Sequence, residues 1–348
     1  MGKKKNNPSH GPFALGMDMG GTKILAAVVD AEGQILAEAK LKTGAREGPD
    51  AVIQRMAEAA RQAVRRAEVL WQQVIGLGVG APGPLDPVHG IVHHAPNLPG
   101  WKEVRLGPRL SDLLGVPVFV ENDVNLGTLG EHALGAGRGT RDLVGIFVGT
   151  GVGGGLILDG QLRSGYRHAA AEVGHMIVLA DGPVCGCGKR GCLESVASRT
   201  AIDRDIRLGL AAGRQSLIPK LTKSRQRLTS GVLAKAWRKG DPLVTEVLGR
   251  AQWYLGLLTA SIVNMIDPEM VVFGGGVVEA LGDEFLDPIR TTARQYFIQQ
   301  DDADAVQIVP AKLGDQAGVL GAAVHARRQA SKHPASSVVG LKLPSGAT

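Results

Sequence analysis

The chain has 348 residues, of which 44% are hydrophobic and 21% charged, with 49 glycines and only 4% aromatics. That composition excludes a disordered or fibrous chain, and no run approaches the ~18 uninterrupted apolar residues of a membrane span, so a soluble protein with an Ala, Val, Leu and Ile core is expected. The formal charge of +6 is no nucleic-acid footprint: Lys3, Lys4 and Lys5 at one end and Arg327, Arg328, Lys332 and Lys342 at the other lie in acid-free tails, leaving the body near −1.

A single core seldom outgrows ~250–300 residues, so the length points to two domains. Residues 1–13 and 329–348 are rich in Lys, Ser, Pro, Gly and Asn and are expected to be disordered tails. No apolar stretch backs the N-terminal charges as a secretory leader requires, and the expected location is the cytoplasm.

Residues 13–39, FALGMDMGGTKILAAVVDAEGQILAEA, read as three strands, with two apolar runs flanking DMGGTK and a third after the AEG turn. Gly48–Pro49–Asp50 opens a helix whose Val52, Met56, Ala59, Ala60, Ala63, Val64 and Ala67 share one apolar face. Buried strands are predicted at 74–83, VIGLGVGAPG, and at 116–123, VPVFVEND, with a helix from about Val124. The strand–turn–strand pattern then recurs at 143–161, LVGIFVGTGVGGGLILDGQ. A shift of 129 positions lays Gly16 on Gly145, Gly20 on Gly149 and Asp30 on Asp159, which suggests two related halves.

A cysteine-bearing loop at 180–194 precedes a helical region, which includes a long apolar-faced helix through Val244, Leu248, Ala251, Leu255, Leu258 and Ile262. EMVVFGGGV at 269–277 is a strand running into three glycines, and GDQAGVLGAAVHARRQ at 314–329 is a closing helix. Strands alternate with helices throughout, so the fold class is α/β. The expected lobes are 14–134 and 135–328, with the closing helix able to pack back on the first. The basic stretch from Arg204 to Lys239 reads as a solvated helical surface rather than a binding patch.

All three cysteines fall within CGCGKRGCLE, 185–194, spaced Cys185-x-Cys187-x4-Cys192 with His175 ten residues upstream. Three thiolates and an imidazole close a zinc tetrahedron and leave no position for a substrate, so a structural Zn²⁺ is predicted. DMGGTK offers a polyanion the N–H groups of Gly20 and Gly21, the Thr22 hydroxyl and the Lys23 charge, with Asp18 placed to hold Mg²⁺ through water. GTGVGGG, 149–155, repeats those donors. Neither turn has Walker spacing, and a strand rather than a helix follows each, against a dinucleotide fingerprint. With GGG at 274–276 for a nucleoside, the two turns predict a nucleotide cleft.

ENDVN, 121–125, sets carboxylates and an amide at a strand end, a group that suits sugar hydroxyls and proton acceptance. The same pattern serves as a helix cap through Asp123, and on sequence both readings stand. In EVGH, 172–175, Glu172 and His175 are tied to the cysteine loop, as is Glu194. A His that gives one ring nitrogen to zinc keeps the other for a hydroxyl.

DMGGTK, GVGAPGPLD, PNLPGW, END, GTGVGGG, EVGH, the cysteine signature and GDQAGVLGAA stand in an order that resembles the ROK family of sugar kinases and repressors, over about 14–328. The resemblance implies a two-lobed, actin-like (ribonuclease-H-like) ATPase fold with an interlobe cleft and a zinc-bound loop. It implies an ATP- and Mg²⁺-dependent transfer to a hexose 6-hydroxyl, most similar to bacterial glucokinases. Asp123 would be the general base, and Asn97, Asn122, Glu172, His175 and Glu194 would hold the other hydroxyls. Gly20, Gly21, Thr22, Lys23, Thr150 and Gly151 would face ATP phosphates, and Gly275 the nucleoside. The partners implied are hexose and ATP, with neither nucleic acid nor membrane, in a homo-oligomer, dimer or tetramer.

The alternatives are an N-acetylmannosamine, N-acetylglucosamine, mannose or fructose kinase, inorganic polyphosphate as donor, or a sugar-sensing repressor. A repressor of this kind carries a helix-turn-helix ahead of the first strand, where about 13 residues are too few for one.

Overall fold

The computed structural model describes residues 11–95, 98–222 and 228–332. The chain divides into two units, one running up to Leu126 and resuming at Gly318, the other Gly127–Ala317. In the first, β1 (Phe13–Met19), β2 (Lys23–Val29) and β3 (Ile35–Lys42) form an antiparallel meander. Then α1 (Gly48–Ala67) leads to β4 (Val74–Ala81), parallel to β1. A small antiparallel sheet of β5 (Leu85–Asp86), β6 (Ile91–His94) and β7 (Lys102–Arg105) follows, then α2 (Leu106–Leu114). Finally β8 (Val118–Asn122) joins β4 in parallel, giving the order β3-β2-β1-β4-β8, and α3 (Asp123–Leu134) begins.

The second unit repeats this plan. Here β9 (Leu143–Val148), β10 (Val152–Leu158) and β11 (Gln161–Leu162) form the meander. The cysteine loop follows, then α4 (Glu194–Ala197), α5 (Arg199–Ala211), α6 (Ile218–Leu221), α7 (Ser230–Arg238) and α8 (Pro242–Ile266). Parallel β12 (Met270–Gly274) lies beside β9; α9 (Gly276–Leu281) and α10 (Asp283–Gln295) lead to parallel β13 (Gln307–Pro310), and α11 (Ala317–Lys332) ends the described chain. The order β11-β10-β9-β12-β13 matches the first sheet strand for strand in direction. The duplication read from a shift of 129 positions is therefore a duplication of topology.

Local sequence explains the elements. Strand β1 is central and buried on both faces, so FALGMDM is almost continuously apolar, whereas ILAEAKLK of edge strand β3 mixes polar and apolar positions. In α1 the apolar face buries Val52, Ile53, Met56, Ala60 and Val64, and Glu68 ends the helix at φ 56°. Each unit has its own core.

Glycine in the central strands sets the distance to the covering helix. A Cβ on Gly16 or Gly78 would collide with the backbone carbonyls of Val319 and Ala322 in α11, so that helix lies directly on the first sheet. At Gly145 and Gly155 a Cβ would meet the Thr128 side chain of α3 in the same way. Each sheet is thus covered by the helix that leaves the other unit's last strand. This is why the division falls at 126/127 and 317/318 rather than at the expected 134/135 and 328: the second half of α3 packs on the second sheet, and α11 on the first. Inside the second unit, buried Glu131 of α3 accepts the backbone N–H groups of Ala136 (2.9 Å), Lys312 (3.0 Å) and Leu313 (2.7 Å).

Two expected tail boundaries need correction. Phe13 is a buried residue of β1, and Ala330, Ser331 and Lys332 continue α11, because both segments find backbone partners in regular structure. The rest of both tails lies outside the described residues. No helix among the described residues is long and apolar enough to cross a membrane.

Candidate functional site

His175 closes a 3₁₀ turn at Val173–His175, and Ile177 pairs with Cys192 in an isolated bridge that doubles the cysteine loop back on it. Gly191, at φ 74°, lies where a side chain would overlap the Leu179 carbonyl, so the tight fold of the loop depends on its glycine. His175 Nδ1 lies 3.6 Å from Cys185 Sγ, Cys187 Sγ lies 3.7 Å from Cys192 Sγ, and the four donor atoms all fall within 4.8 Å of one another. A tetrahedron with metal–ligand bonds of ~2.0–2.3 Å sets its donors roughly 3.3–3.8 Å apart, so this set fits zinc. Burial pushes the Cys185 thiol up to about 12 and also raises Cys192, while the Lys189 backbone N–H lowers exposed Cys187.

Glu194 joins this knot to the second Gly-rich turn. Its Oε1 accepts the Cys185 thiol at 3.4 Å and its Oε2 accepts the Val152 N–H at 3.1 Å. The turn is pinned on its other side by the start of α5. Arg199 donates its backbone N–H to the Gly149 carbonyl (3.0 Å) and Nη2 to Thr150 Oγ1 (3.1 Å). The Thr200 hydroxyl donates to the Thr150 carbonyl (2.7 Å). Gly275 follows β12 at φ 93°, where a side chain would strike the Val148 backbone. Glu172 is exposed and follows Ala171, a non-glycine residue at φ 61°.

In the first unit, Gly20 donates its N–H to the Lys23 carbonyl (3.0 Å), closing the DMGGTK turn. Buried Thr43 anchors that turn by donating Oγ1 to the Gly20 carbonyl (2.6 Å) and its N–H to the Thr22 carbonyl (3.1 Å). Asp18 is half-buried near the end of β1, Gly21 and Lys23 are half-buried, and Thr22 is exposed.

Asn122 ends β8 and Asp123 starts α3. The capping duty falls mainly on Asn122, whose Oδ1 accepts the N–H groups of Val124 (3.0 Å) and Asn125 (3.2 Å); Asp123 Oδ1 shares the first of these at 2.9 Å. Behind them Glu121, 4% exposed, accepts the Asn122 N–H (2.8 Å) and the Asn125 side-chain amide (3.0 Å).

The structure thus brings His175, Cys185, Cys187 and Cys192 together, links them through Glu194 to the Gly-rich turn at Val152, beside Gly151, and sets Asn122 next to Asp123 at the start of α3. Asn97 lies outside the described residues. Thr43 and Arg199 were missed from sequence, and Glu121, read there as one of the ENDVN carboxylates, instead braces the cap behind Asn122. Four arginines of the basic stretch are paired: Arg204 meets Asp205, Arg207 meets Asp203, Arg214 meets Glu246 and Arg238 meets Glu284. Residues 223–227 lie outside the described ones.

The model of the ROK family matches residues 14–329. A glucokinase of Thermotoga maritima is 37% identical over 309 residues, covering 89% of this chain and 95% of that protein. Among solved structures, a ROK hexokinase from Thermus thermophilus aligns with TM-score 0.79 at 35% identity, over 92% of this chain and 99% of its own. A ROK glucokinase from Streptomyces griseus in complex with glucose and AMPPNP aligns with TM-score 0.76 at 34% identity, over 91% and 99%.

Proposed function

Because the chain belongs to the ROK family, we propose that it is an ATP-dependent hexose kinase of the glucokinase type, converting glucose to glucose 6-phosphate. The observation that carries this reading is the nearly full-length similarity to glucokinases.

In the proposed reaction the sugar 6-hydroxyl oxygen bonds to the γ-phosphorus of ATP as the bond to ADP breaks. Such a transfer is governed by positioning and charge stabilisation, with a carboxylate to accept the hydroxyl proton. Asp123 is that base: Asn122 carries the helix cap, and the half-buried Asp123 carboxylate starts α3. Asn97, Asn122, Glu172, His175 and Glu194 hold the remaining hydroxyls. Gly20, Gly21, Thr22, Lys23 and Thr150 face the phosphates, and Gly275 the nucleoside. Mg²⁺, when bound, neutralises phosphate charge, and Asp18 would hold it through water. Zn²⁺ would be held by His175, Cys185, Cys187 and Cys192 and supplies rigidity. With ATP as substrate and three thiols kept reduced for a metal, the proposed location is the cytoplasm.

A coupled assay over glucose, mannose, fructose, N-acetylglucosamine and N-acetylmannosamine, with ATP or polyphosphate, tests this. The expected result is the highest kcat/KM with glucose and ATP, and none with polyphosphate. Preference for another hexose would reassign the substrate. No turnover together with sugar-released DNA binding would replace the kinase with a repressor.

A further inference from the structure

Gly151 stands in a turn whose resemblance assigns it to the ATP phosphates, yet its surroundings point to the sugar. Its backbone lies outside the left-handed region, so conformational freedom is not the reason for glycine. The related turn of the first unit, 129 residues earlier, carries Thr22 at the corresponding position, so the hairpin itself accepts a side chain. What differs is the neighbour. A Cβ on Gly151 would overlap Oε2 of Glu194 and lie 3.2 Å from its Cδ. Gly149, two residues earlier in the same turn, has nothing within 4 Å of the place a Cβ would take. Open space for a polyanion is therefore at Gly149, and the space beside Gly151 is filled by a carboxylate.

That carboxylate is held by the Val152 N–H at 3.1 Å, and its other oxygen lies 3.4 Å from Cys185 Sγ, a contact that carries no proton once Cys185 is a zinc thiolate. We propose that Gly151 is a sugar-positioning residue: its missing side chain is the seat of Glu194, the sugar-binding carboxylate that also joins the cysteine knot to the turn. This rests on the hexose kinase reading. The obstructing atom is the far end of a flexible side chain and not backbone, so Gly151→Ala yields at the Glu194 torsions and keeps the fold.

Kinetics in both substrates, calorimetric glucose binding without nucleotide, and thermal melting test the proposal. Gly151→Ala is expected to raise KM and Kd for glucose about tenfold or more, leave KM for ATP within about twofold, and melt near the wild type. Glu194→Asp withdraws the carboxylate by one methylene and makes room for the Cβ. The double variant is therefore expected to bind glucose no more weakly than Glu194→Asp alone. The proposal is overturned if Gly151→Ala weakens ATP and spares glucose, if the two losses multiply in the double variant, or if Gly151→Ala does not fold. A wild type that phosphorylates no glucose would instead remove the kinase reading itself.

Discussion

Asp123 occupies a position where a cap and a base compete for one carboxylate. Asn122 takes the N–H groups of Val124 and Asn125, and buried Glu121 in turn holds the Asn122 N–H and the Asn125 amide, so the first turn of α3 does not depend on Asp123 alone. Asp123→Asn is therefore expected to melt close to the wild type and bind glucose, while kcat falls by about 10²–10⁴, as read by the coupled assay beside a melting curve. Near-normal turnover would remove Asp123 from the role of base. Cys187 separates metal from packing, because it is exposed whereas Cys185 and Cys192 are buried. Cys187→Ser is expected to lose bound zinc by elemental analysis and to weaken glucose binding more than ATP binding, since His175 and Glu194 are anchored on the knot. Unchanged metal content would refute the ligand set. The zinc residues were legible because thiols and an imidazole at short spacing announce their chemistry. Arg199 was not, and of Glu121 only its membership of ENDVN was, because a buried carboxylate or a helix-start arginine acquires its meaning only from the groups it reaches.

Elements were legible where periodicity was long. The apolar face of α1, the buried run of β1 and the long α8 followed from the residues, whereas β5 and β11, at two residues each, hold no period to read. Helix position was a different matter. GDQAGVLGAA marks a helix, but that α11 lies on β1 and β4 is recorded in Gly16 and Gly78, strand residues some 240–300 positions earlier. Gly16→Val puts a branched side chain against the Val319 carbonyl, a backbone atom that cannot move without the helix. The expected cost is at least about 2 kcal/mol, read as a lower chemical-denaturation midpoint. Wild-type stability in that variant would show that α11 does not need this close approach.

For the whole molecule, the proposed activity makes stability depend on ligand. Glucose that binds only the folded protein adds about 2.7 kcal/mol at 100 times its Kd, so the melting temperature should climb with glucose concentration. The rise should be reduced in Glu194→Asp. A melting temperature indifferent to glucose, beside one that responds to another hexose, would transfer the substrate assignment.

Sequence alone determined the α/β class, the duplicated strand–turn–strand units, the cysteine knot and the chemical types of the site residues, because each is encoded within a few tens of consecutive positions. Only the tertiary structure decided which helix covers which sheet, where the units divide and why Gly151 has no side chain. Those answers depend on atoms distant in sequence meeting at van der Waals range, as Gly151 meets Glu194 and Gly16 meets Val319.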